Sequence, residues 1–152
     1  EVAVRGGMSL MHASLVGANL DGASLDGASL VGARLVGARL VGANLVGASL
    51  VGASLDGASL DHPRIGKLKL IGERPALTIG PLGSRCATLL ALLTDRGVMV
   101  RAGCFWDDLA AFRAAVAATH GDGQHGREYA AAIAMIECHA ALWTPAERRA
   151  AA

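Results

Sequence analysis

Residues 33–52 read "ARLVGARLVGANLVGASLVG", one five-residue unit written four times. On an α-helix a step of five residues is about 500°, or about 140° past a full turn, so these leucines would scatter around the axis. Each interior Gly would also cost about 1 kcal/mol there. On a flat strand the odd step sends every second Leu to the opposite face. A backbone that turns one corner per pentad avoids both problems, because the corner restores the inward direction and Gly supplies the freedom to bend. Such a chain must coil, and successive coils stack at about 4.8 Å with hydrogen bonds between them.

The same frame extends in both directions. Leu10, Leu15, Leu20, Leu25, Leu30, Leu35, Leu40, Leu45, Leu50, Leu55 and Leu60 recur at intervals of five, and Ile65 and Leu70 keep the phase. These thirteen residues are the predicted core of a β-solenoid. Ala stands two positions before Leu from Ala13 to Ala58, and Gly two positions after it from Gly17 to Gly57.

The units "ANLDG", "ASLDG" and "ARLVG" resemble the pentapeptide-repeat motif over about residues 8–72. The resemblance implies a right-handed, quadrilateral β-helix with four pentads per coil, hence about three and a quarter coils by the repeat count. Residue i then lies beneath residue i+20. The near-identity of the units fits either recent duplication or a consensus sequence.

On that stacking, the outward position after Leu forms the columns Met11/Val31/Val51/Ile71, Val16/Val36/Asp56, Asp21/Val41/Asp61 and Asp26/Val46. The first is wholly apolar. Together with Val36, Val41 and Val46 it is either a contact surface, since soluble monomers seldom keep joined apolar patches, or simply a row of good β-formers at corners. A solenoid end also exposes unpaired N–H and C=O groups unless it is capped or paired. The first coil is therefore expected to pair head to head with a second copy, making a homo-oligomer.

After "HPRIGKLKLIGERP" (62–75) the pattern changes. A short strand is predicted at 77–79, and a hairpin from strands 86–94 and 98–105 turning at Asp95-Arg96-Gly97. Asp107 or Asp108 caps a helix that buries Leu109, Phe112 and Val116. A second helix spans 124–143, turns Tyr129, Ile133 and Ile136 inward, and stops at Thr144-Pro145. The expected architecture is a solenoid over 1–72, a small α+β capping domain of hairpin and two helices over 76–143, and a tail over 144–152. "TIGPLGSR", "GCFW", "TH" and "REYAAAIAMIE" resemble a small domain of unassigned function in phage and bacterial proteins, which suggests a place in a phage or bacterial assembly.

Chemistry is sparsely encoded. Cys104, with His120 and His125 downstream, supplies residue types for a thiol nucleophile and its base, but the spacing matches no catalytic signature. A buried strand cysteine is the simpler reading. His120, His125, Glu128 and His139 are candidate metal ligands between the helices, without any C-x-x-C spacing beside them. The expectation is a chain with no enzymatic activity, no metal and no cofactor.

Fourteen Lys and Arg against thirteen Asp and Glu give a net charge of +1, and 3% of residues are aromatic. Neither a basic footprint for nucleic acid nor stacking platforms are present. Some pentapeptide-repeat proteins resemble duplex DNA and bind type II topoisomerases; that mimicry needs an acidic surface, whereas this repeat carries Arg34, Arg39, Arg64, Lys67 and Lys69. No apolar run approaches the ~18 residues of a membrane span, no secretory signal is visible, and three widely spaced cysteines argue against a disulfide framework. A cytoplasmic or particle-associated protein is expected, working through self-assembly.

Overall fold

The computed structural model describes residues 8–45, 48–62, 66–83 and 87–145. Over the first half, parallel bridges join Ser9 to Ser29, Ser14 to Arg34, Asn19 to Arg39, Ser24 to Asn44, Ser29 to Ser49 and Arg34 to Ser54. Short strand β1 (Arg39–Leu40) pairs in parallel with β2 (Ser59–His62) in the same step, Arg39 with Ser59 and Leu40 with Leu60. Every step is twenty residues, or four pentads, so the bridges fall into four columns. Hydrogen bonds run in both directions along them: Leu30 N–H donates to Ser49 C=O at 2.8 Å and Ser49 N–H to Ala28 C=O at 2.9 Å.

The corners explain the period. Within each pentad the Ala N–H donates back to the Leu C=O, as from Ala38 to Leu35 at 2.9 Å. The third residue of that four-residue turn, Gly37, has φ +68°. A turn with positive φ at its third position only is of type II, which favours Gly there. Leucines from Leu20 to Leu60 are buried, with Leu25, Leu30 and Leu35 at 0% exposure. Each such side chain contributes roughly 1.5–3 kcal/mol by leaving water. Leu10 and Leu15, nearer the N-terminal end, are only half-buried.

The coil does not continue through the thirteenth pentad. After Leu60 the chain turns back, and β3 (Gly66–Lys69) pairs antiparallel with β2, Ser59 against Lys69 and Leu60 against Leu68. Leu70 extends this pairing: its N–H donates to Ala58 C=O at 2.8 Å and its C=O accepts from Gly57 N–H at 2.9 Å. The expected fourth coil is thus replaced by a hairpin, and Lys69 lies beside Ser59 rather than beneath Ser49. The cause is local: "KLKL" alternates with the strand period of two, and both Leu68 and Leu70 are buried by it. Ile65 lies outside the described residues.

The hairpin leads into a second sheet. Asp95 N–H donates to Lys69 C=O at 2.9 Å, Lys69 N–H to Asp95 Oδ1 at 2.9 Å, and Ile71 N–H to Leu93 C=O at 3.1 Å. Strands β4 (Ala76–Leu82), β5 (Ala87–Thr94), β6 (Gly97–Ala102) and β7 (Phe105–Asp108) form an antiparallel sheet in chain order. Helix α1 (Leu109–His120) follows directly, its N-cap Asp108 accepting Ala111 N–H at 2.7 Å, and α2 (Gln124–Trp143) follows a three-residue loop.

The expected strand over 98–105 is in fact two strands, divided by a turn at Gly103-Cys104 where Gly103 has φ +61°. The sheet is buried on both faces. Leu90, Leu92 and Met99 join the leucines of the coils, with Ala76 and Trp106 packed alongside. Leu82, Leu89, Ala91 and Val100 pack on Phe112, Val116, Ala132, Ile133 and Ile136 of the helices. The order of layers is coil stack, sheet, helix pair.

Candidate interaction surface

The outward corner residues are set by the same backbone ladder as the core. His12 N–H donates to Val31 C=O at 2.9 Å and Gly32 N–H to Val51 C=O at 2.8 Å, which stacks Met11, Val31 and Val51 in one row. Met11 is 52% exposed and Val51 59%, whereas Val31 is half-buried between them. In the neighbouring row Val16 is exposed and Val36 half-buried, and Val41 is half-buried in the next; Val46 lies outside the described residues. Ile71 does not extend the first row. It follows Leu70, which bonds to Gly57 and Ala58, and its own N–H is turned to Leu93.

Two coil carboxylates, Asp21 and Asp26, have cationic neighbours. Arg39 Nε and Nη2 donate to Asp21 Oδ2 at 3.0 and 2.5 Å. Arg101 on β6 pairs with Leu90 and so stands on the face toward the coils. Burial lowers its pKa below the ordinary guanidinium value, and the negative charge of Asp26 opposes that shift.

The candidate catalytic and metal residues are not gathered into one site: His120, His125 and Glu128 are neighbours, while Cys104 and His139 lie elsewhere. Cys104 is exposed in the β6–β7 turn, not buried on a strand as expected, because Gly103 ends β6 before it. Cys138 on α2 is exposed as well, and Cys86 lies outside the described residues. The His120 ring stacks on Tyr129 with centroids 5.3 Å apart and meets His125 at 6.1 Å. His125 Nδ1 lies 3.6 Å from Glu128 Oε2, and that oxygen accepts Gly83 N–H at 2.8 Å. His139, fourteen residues beyond His125 and so roughly 21 Å along the helix, instead contacts Arg74 C=O at 2.8 Å. Among the described residues, no group of three or more His, Cys, Asp or Glu is gathered to hold a metal ion. None of their helices is long and apolar enough to cross a membrane.

The sequence assigned no role to Thr78 or Arg74, which with coil residues 50–54 line a cavity of about 530 Å³ between coils and sheet. Periodicity carries no signal for it, since its walls meet only through the reversal after Leu60.

Residues 9–40, 29–62 and 38–70 match the family model for Pentapeptide repeats, in 8 copies. The match ends at residue 70 and gives no support to the likeness noted for residues 76–143. Among solved structures the chain is similar to HetL, a pentapeptide repeat protein involved in heterocyst differentiation regulation from the cyanobacterium Nostoc sp., at 37% identity and a TM-score of 0.28. That similarity covers 36% of this chain and 28% of the HetL chain. No curated protein matches the sequence. The stacked segment of this chain is built of pentapeptide repeats.

Proposed function

We propose that this chain is a non-enzymatic interaction protein, a right-handed, four-sided β-helical rod that self-associates laterally through the row Met11, Val31 and Val51. One observation carries the reading: two large apolar side chains of that row are more than half exposed, at 52% and 59%, on main chain hydrogen-bonded into the coil ladder. Joined apolar surface of this kind marks contact sites on soluble proteins. Pentapeptide repeats are commonly found in interaction proteins, which agrees with it. A setting in a phage or bacterial assembly rests on the likeness of residues 76–143 alone. A topoisomerase-binding mimic of DNA is disfavoured by the near-neutral charge of the chain.

Sedimentation velocity from micromolar to millimolar protein tests the proposal. The parent chain is expected to shift to a dimer or larger species, and Val51→Asp to remain a monomer, while Asp56→Ala on another row leaves association intact. A parent that stays monomeric throughout removes the proposal. Association that survives Val51→Asp points instead to the end-to-end geometry through the first coil.

A further inference from the structure

In the upper coils the N–H groups of Leu from Leu10 to Leu35, and of the corner residues Gly17, Gly22, Gly32 and Gly37, are taken by the next coil. Leu30 donates to Ser49 C=O and Gly32 to Val51 C=O, both at 2.8 Å, and Ser54 N–H donates to Ala33 C=O at 2.9 Å. Twenty residues later the equivalents are Leu50, Gly52 and Ala53. Here the chain has already turned back, and the returning strand covers the coil only from Gly57 to His62. Among the described residues nothing accepts from Leu50 or Gly52 N–H, and nothing donates to Ala53 C=O.

A second unpaired edge faces this one. β4 is an edge strand of its sheet. Leu93 N–H donates to Pro75 C=O at 2.7 Å, and antiparallel ladders alternate, so Leu77 bonds toward β5 while the main-chain groups of Ala76 and Thr78 point away from it. Between the two edges lies the 530 Å³ cavity. Thr78, paired with coil-facing Leu90, places its side chain on the coil side, and its Oγ1 is buried there without a hydrogen-bond partner. A buried hydroxyl in that state is costly and calls for an explanation.

We infer that this slot binds an extended peptide of a partner protein, which adds as a rung between the third coil and β4. The complementarity is one of partial charges: N–H donors at Leu50 and Gly52 and a C=O acceptor at Ala53 repeat the arrangement that the coils themselves read in one another. Only an extended main chain carries donors and acceptors on both of its edges and can answer both walls, the mode of strand addition. The open coil edge from Leu50 to Leu55 is one pentad with its corner at Gly52, φ +66°, so the peptide matches it with one pentad that bends at the same point. The peptide needs an apolar residue where it passes Leu50, as the coils stack Leu30 over Leu50.

The probe is the heptapeptide GARLVGA, which copies residues 32–38, added to the full chain. Amide hydrogen exchange of Leu50 and Gly52 is expected to slow tenfold or more at saturation, with Leu10 and Leu30 unchanged. The same peptide N-methylated at its Arg and Val is expected to bind at least tenfold more weakly. Thr78→Val is expected to weaken binding severalfold without lowering the thermal midpoint. No binding at millimolar peptide, equal affinity of the N-methylated peptide or of Thr78→Val, or protection confined to the first coil overturns the inference. Protection of Leu50 and Gly52 that appears without peptide and is lost on dilution makes the occupant a second copy, and likewise overturns it.

Discussion

Arg39 reaches back across one coil spacing to Asp21, whose Oδ2 accepts from Nε and Nη2 at 3.0 and 2.5 Å while its Oδ1 accepts Val41 N–H at 3.0 Å. One carboxylate thus ties both a side chain and the main chain of the next coil. The ion pair is solvated, with Arg39 57% exposed, so Arg39→Ala is expected to cost only about 0.5 kcal/mol. Asp21→Ala also gives up a bond from main-chain N–H and is expected to cost about 1–2 kcal/mol. Urea unfolding of both variants and the double variant checks the difference.

Corner geometry separates His12 from the glycines. His12 occupies the position of the corner Gly and keeps φ +57°, in a region that L side chains adopt at a cost. His12→Gly is expected to raise stability by about 0.5–1 kcal/mol. Gly37→Ala, with φ +68° and open space around the added methyl, is expected to lower it by about 1–2 kcal/mol through backbone strain alone. Opposite shifts in thermal midpoint are the measurement.

Depth in the stack sets the cost of truncation. Leu35, at 0% exposure, is expected to lose about 3–5 kcal/mol on change to Ala, whereas half-buried Leu10 loses about 1 kcal/mol. Chemical denaturation that returns equal losses contradicts the packing described.

Asp108 stands between β7 and α1 and caps the helix with its side chain. Asp108→Ala is expected to cost about 1 kcal/mol, and Asp108→Asn to restore most of it. Thermal melts followed by circular dichroism distinguish the two.

Cys104 and Cys138 are both exposed. A thiol reagent is expected to modify both in the folded protein without denaturant, read by peptide mass spectrometry. Their labelling only above the unfolding transition contradicts their placement.

The pentad frame made most of the first half legible, because an interval of five with Gly at its corner admits one kind of winding. Its failure came where the frame persisted by coincidence. Leu70 keeps the phase of five yet reaches its buried place through the two-residue alternation of "KLKL", a competing period that takes over within four residues. In the second half, the helices and the Asp108 cap followed from apolar spacing and capping chemistry. The β6–β7 turn was hidden because Arg101 to Trp106 reads as one strand until Gly103 adopts positive φ. The rows of Val31 and Val51 could be counted in advance from the resemblance, but the slot beside Thr78 could not. It depends on two segments that meet only after the reversal.

The step of twenty residues between bridged partners, Ser9 to Ser29 to Ser49, imposes a rule on how such a gene can grow. Adding one five-residue unit before Ser49 would swing everything downstream by a quarter turn and send Met11 and Val51 to different sides. Adding four units would lengthen the tower by one storey and leave every face aligned. Changes in length that preserve the contact face are therefore quantised in twenties, although the sequence is written in fives.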